Sequence, residues 1–117
     1  MEIVSVGPTH GGPEALEREM AAVAARLDGP RLGILYLPIE LDPAPYLAAA
    51  SNGLGAPIVG ATTAGAAFTE RGVTRTEPVA AVIGGRDFGF SISVAHDLGR
   101  DPAGQIRTAA RRRVDGA

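Results

Sequence analysis

Cysteine, tryptophan and lysine are absent from this chain of 117 residues, and aromatic residues make up only 4% of it. Without cysteine there is no disulfide, no thiolate metal site and no Cys nucleophile, and a reducing cytoplasm is the expected compartment. The scarcity of aromatics means a core built from Ala, Val, Ile and Leu, with few surfaces on which bases or sugars can stack. A large excess of charge of one sign is also missing. The net charge is −2, which gives no electrostatic reason to expect nucleic acid or an anionic membrane as partner. All 11 basic residues are Arg, a bias of high-GC bacterial coding sequences. The one basic cluster, Arg111 to Arg113, falls at the end of an expected helix, where cations complement the negative end of the helix dipole.

Long apolar runs are lacking too. Residues 48–68 carry no charge, but Asn52, Gly53, Gly55, Pro57, Gly60 and Gly65 interrupt them, so no spanning helix is expected. The N-terminus has no basic segment and reaches Gly7 and Pro8 too soon for a signal peptide. What remains is 45% hydrophobic and 21% charged, ordinary for a soluble globular chain, and its length suits one domain over residues 1–117.

The periodicity then gives an α/β order. Residues 2–6 form a short strand candidate. Pro13 suits a first helical position, and Leu16, Met20, Val23, Ala24 and Leu27 share one helical face until Asp28-Gly29-Pro30. Residues 32–37 are almost continuously apolar, as in a strand buried on both faces. Asp42 and Pro43 open a second helix, with Tyr46, Leu47 and Ala50 inward and Gly53 as its stop. A strand over 57–60 completes a β-α-β-α-β parallel core. Residues 79–83 and 88–94, joined by Gly84-Gly85-Arg86-Asp87, then read as an antiparallel β-hairpin, with a short edge strand possible at 73–76. A C-terminal helix from Asp101 and Pro102 to about Arg113 buries Ala103, Ile106 and Ala110.

Two glycine-rich loops follow strands expected to lie parallel in one sheet: Gly7 to Gly12 and Gly60 to Gly65. Loops at the C-terminal ends of parallel strands are the usual binding crevice of such folds, and the first leads into a helix N-terminus able to hold a carboxylate or phosphate. The expected ligand-binding residues are Gly60, Thr62, Thr63, Gly65, His10 and Gly11. The competing explanation for Gly60 to Gly65 is a tight turn packed under a helix. Neither loop matches the Walker A or dinucleotide fingerprint. His10 and His96 lack companions at metal-ligand spacing, so no metal or cofactor is expected. Thr62, Thr63 and Ser51 have no adjacent base and no catalytic residue is assigned, while Glu40 and Asp42 read as loop and capping groups.

The stretch Pro57-Ile58-Val59-Gly60-Ala61-Thr62-Thr63-Ala64-Gly65 resembles the N-terminal domain of FIST proteins, bacterial sensory and signal-transduction proteins. Their motif reads approximately Pro-hydrophobic-hydrophobic-Gly-Cys-Ser/Thr-Thr-Ala-Gly-Glu; Ala61 stands here for the Cys and Ala66 for the Glu. The resemblance implies a non-enzymatic module that senses a small polar molecule, such as an amino acid or another carboxylate, and passes the signal to a partner. Some relatives bind haem, but no haem-binding motif matches His10 or His96. The chain corresponds to about one of two similar halves of the family's domain, which implies an exposed surface covered by another copy in a homo-oligomer. The alternatives are a structural or interaction module that self-assembles without a small ligand and, third, an enzyme acting on a small metabolite.

Overall fold

A computed structural model describes residues 1–95, 99, 101–111 and 114–115. The chain is mixed α/β. It runs β1 (Glu2–Val6), α1 (Gly12–Ala24), β2 (Arg31–Pro38), α2 (Pro43–Leu54), β3 (Ile58–Thr63), β4 (Ala67–Thr69), β5 (Gly72–Thr74), β6 (Val79–Gly84), β7 (Ser91–Ile92), α3 (Pro102–Arg111) and β8 (Val114–Asp115). The C-terminal helix is present, whereas His96, Arg112 and Arg113 lie outside the described residues. No described helix is long and apolar enough to cross a membrane.

The main sheet has the order β1-β6-β2-β3. β2 and β3 pair in parallel from Gly33↔Ile58 to Pro38↔Thr63, but β6 lies antiparallel between β1 and β2. This corrects two expectations. β1, β2 and β3 share one direction, yet a late strand interrupts their parallel core. β6 also makes no hairpin with residues 88–94, because β1 and β2 already occupy both of its edges. Val79 to Gly84 is buried at alternate and neighbouring positions alike, the burial of a central strand, and a central strand must be paired on both sides. Ser91–Ile92 pairs instead with Val114–Asp115. The hairpin that forms is β4–β5, with Phe68 opposite Val73.

Both long helices cover the same face of the sheet. Leu16, Met20 and Val23 of α1 and Ala50 and Leu54 of α2 meet Val6, Leu35, Leu37, Ala80 and Val82 in one buried cluster. Strand alternation accounts for the set, since Val6↔Ala80↔Leu35 and Val4↔Val82↔Gly33 place these residues on one side. The helices cross so closely that a Cβ on Gly53 would run into the Glu17 carbonyl. Gly53 is therefore a contact point inside α2, and the helix stops at Gly55, whose N–H donates to the Ser51 carbonyl at 2.8 Å. Arg31 at the start of β2 donates to the carbonyls of Ala24 (2.7 Å) and Leu27 (2.8 Å), giving the C-terminal end of α1 the cation it favours.

The opposite face of the sheet is less covered. Leu32, Ile34, Val59, Ala81 and Ile83 are half-buried there, while Ile3 and Tyr36 are exposed. β2 is thus buried on one face only. α3 adds no residue to the core, and Ile106, expected inside, is 56% exposed; Ala109 is its one buried residue. Leu47 of α2, also expected inward, is exposed as well.

Candidate functional site

The two glycine-rich segments end up at opposite edges of the sheet, because β6 and β2 stand between β1 and β3. At ordinary strand spacing that is about 14 Å, too far for one small ligand to touch both. They line separate cavities with no residue in common. Pro78 borders the first and Val79 the second, so the start of β6 divides them.

The first cavity, about 430 Å³, is lined by Thr9, His10, Gly11, Gly12, Tyr46, Thr76, Glu77 and Pro78. Gly11 is the N-cap of α1 and has no side chain to offer, so no side-chain cap takes the N–H groups of the first turn. They carry the positive end of the helix dipole toward this space. His10 Nδ1 lies 3.0 Å from Glu77 Oε2, with the imidazole almost wholly exposed and the carboxylate half-buried. The loop itself is pinned. Thr9 is buried, its N–H donates to the Pro78 carbonyl at 2.9 Å, and its hydroxyl donates to Glu19.

The second cavity, about 450 Å³, is lined by Tyr36, Ala61, Thr62, Thr63, Ala66, Ala67, Phe68 and Val79. Thr62 and Thr63 belong to the last turnless residues of β3 rather than to a loop, since the strand extends three residues beyond the expected 57–60. Alternation sends neighbouring side chains to opposite faces. Thr62, paired with Leu37, lies toward the helix side, where a third cavity of about 300 Å³ includes it with Gly60 and Leu47. Thr63 Oγ1 accepts the Gly65 N–H at 3.1 Å, and its carbonyl accepts the Ile39 N–H at 2.9 Å. Gly60 has a packing duty: a Cβ there would collide with the Leu35 carbonyl, so only glycine lets β3 approach β2 at this register.

No family model, curated protein or solved structure matches the chain.

Among the described residues no group of three or more His, Asp or Glu side chains converges as a metal site. Of the expected site residues, His10 and Gly11 fall in the first cavity and Thr62 and Thr63 in the second, while Gly60 lines only the third. Gly65 lines none of these three and closes the turn after β3. Reading the sequence missed Glu77, Thr76 and Tyr46 in the first cavity and Tyr36 and Phe68 in the second. Two of the chain's 2 Tyr and 3 Phe thus line the second cavity. In a chain so poor in aromatics that placement is a usable signal.

The β4–β5 hairpin links the two regions. Thr69 Oγ1 donates to the Gly7 carbonyl at 2.7 Å. At the hairpin tip, hydrogen bonds from its own backbone and from the Ser5 side chain hold the Glu70 carboxyl below its ordinary pKa.

Proposed function

We propose that the chain is a small-ligand-binding sensory module of the FIST-like kind that the Pro57–Gly65 stretch resembles, non-enzymatic and acting in the cytoplasm. The observation that carries the reading is the first cavity. Its volume of about 430 Å³ lies within the usual range for small-molecule sites, and an uncapped helix terminus and a carboxylate border the same space. Opposite partial charges across one small cavity suit a zwitterion. The carboxylate of an amino acid would meet the N–H groups of α1 near Gly11 and Gly12, and its ammonium would meet Glu77, with His10 at the mouth. Thr62 and Thr63 then border a second candidate site with Tyr36 and Phe68, suited to a ligand with an apolar part, while Gly60 and Gly65 lie outside its lining.

Titration calorimetry with free amino acids, their amides and their deaminated analogues tests this. Binding is expected to need both termini and to fall with Glu77→Gln. Binding that survives Glu77→Gln but is lost in Thr62→Val with Thr63→Val would move the site to the second cavity. No heat with any amino acid or small carboxylate would sink the ligand reading. It would leave the alternative of a module that assembles without a small ligand, which the half-covered outer face of the sheet favours.

A further inference from the structure

The outer face of the main sheet carries no charged side chain at any of its strand positions, from Ile3 and Ser5 through Ala81 and Ile34 to Val59 and Thr63. α1 and α2 both lie on the other side, and α3, with Ala109 buried, adds no residue to the cluster beneath them. A mixed sheet can leave one face open to water or to a partner. Here Ile3 is 63% and Tyr36 44% exposed, and the adjoining hairpin presents Phe68 at 76% and Val73 at 71% as a cross-strand pair.

We infer that this face is the docking surface for a second copy of the chain, packed sheet against sheet, and that the second copy roofs the cavity at Tyr36, Thr63 and Phe68. The inference deepens the proposed homo-oligomeric module and rests on that reading for its biological sense, though not for its geometry. Area agrees with it. Four strands of about six residues give a footprint of roughly 400 Å². Phe68 and Val73 extend it toward the roughly 600 Å² per partner at the lower end of stable interfaces. Charge agrees as well, since a two-fold contact brings a patch against itself and any like charge would repel its own image. The strand positions of this face are self-compatible in that sense, and the Glu70 carboxylate held by Ser5 stands at its β1 edge. Two such faces stack about 10 Å apart with side chains interdigitated, as in a sandwich. Tyr36 and Phe68 stand at the cavity rim in the path of the partner, so a site open in the single chain becomes enclosed in the pair.

Sedimentation analysis of the full chain across a concentration series tests the inference. A dimer is expected at ~10 µM. Ile34→Asp and, separately, Tyr36→Arg are expected to weaken it by ~100-fold or more, because each substitution enters the interface twice. Leu47→Asp, on the helix side, is the control and leaves the dimer intact. Tyr36 is exposed, so Tyr36→Arg remains informative if Ile34→Asp fails to fold, and circular dichroism checks both. A wild-type chain that stays monomeric overturns the inference, and an outer face protected from hydrogen exchange in that monomer would assign the cover to α3. A dimer broken by Leu47→Asp but not by Tyr36→Arg overturns it too. The ligand reading fails separately: a dimer that binds no amino acid removes the sensor and keeps the interface, whereas a monomer that binds one does the reverse.

Discussion

The loops that follow β1 and β3 are both rich in glycine and small residues, yet their glycines serve different ends. In the first, Gly11 caps α1 with φ 111° and leaves polar groups facing a polar cavity. In the second, Gly60 sits inside a strand because the neighbouring backbone leaves no room for a Cβ, and the cavity at the end of that strand is walled mainly by Ala, Phe and Tyr. Composition made the two alike. Position in the sheet makes them unlike, since one precedes a helix terminus and the other lies on an edge strand with a hairpin beyond it.

Substitution at the two glycines is the most forceful way to break this contrast. Gly60→Ala is expected to cost about 3 kcal/mol, because the added methyl meets a backbone carbonyl that cannot rotate away. Gly11→Ala is expected to cost about 1 kcal/mol, for the positive φ together with a 3.2 Å approach of the new methyl to Ala15 Cβ. Chemical denaturation of both variants decides it, and equal losses would mean that the strand-packing account of Gly60 is wrong.

Ligand affinity gives the next largest difference. Glu77→Gln is expected to weaken amino-acid binding ~10- to 100-fold, the worth of a charge-assisted hydrogen bond, while Thr62→Val with Thr63→Val changes it little. Calorimetry reads both. His10→Ala should have a smaller effect, about threefold, because the imidazole is 97% exposed and surface ion pairs contribute little. A loss as large as that of Glu77→Gln would place His10 in direct contact with the ligand.

The smallest effect concerns the hairpin that ties the second loop to the first strand. Glu70 has a lowered pKa, so its contribution is present above the unfolded-state pKa and is lost as pH falls through the folded-state pKa. Ser5→Ala should raise the Glu70 pKa toward its ordinary value, measured by carboxyl NMR titration. An unchanged titration would remove the Ser5 tether.

Much of the fold was legible because single elements write their own signals. Pro13 and Pro43 mark helix starts, the spacing from Leu16 to Val23 marks a helix face, and Asp42 does cap α2, accepting the Ala44 N–H at 3.3 Å. Strand partners were not legible. Residues 79–83 and 88–94 look like neighbours because they are close in sequence and both apolar, but pairing is settled by which edges remain free, and β1 and β2 take both edges of β6. The candidate site inherited that error. Two loops on adjacent parallel strands would share a crevice, whereas β6 and β2 both stand between β1 and β3. Glu77 and Tyr36 escaped notice because neither lies in a glycine-rich loop: the placing of β6 brings Glu77 beside His10, and the register Tyr36↔Ala61 brings Tyr36 to the second cavity.

The central place of β6 also sets an order of events during synthesis. β1 leaves the ribosome well before β6, its sheet neighbour among the described residues, which follows some eighty residues later. Until residues 79–84 emerge, β2 and β3 can pair and the two helices can meet, while β1 waits without a ladder of its own. Closure of the sheet is therefore a late, long-range event, the slow kind in folding, and for that interval β1 is an apolar strand without a partner.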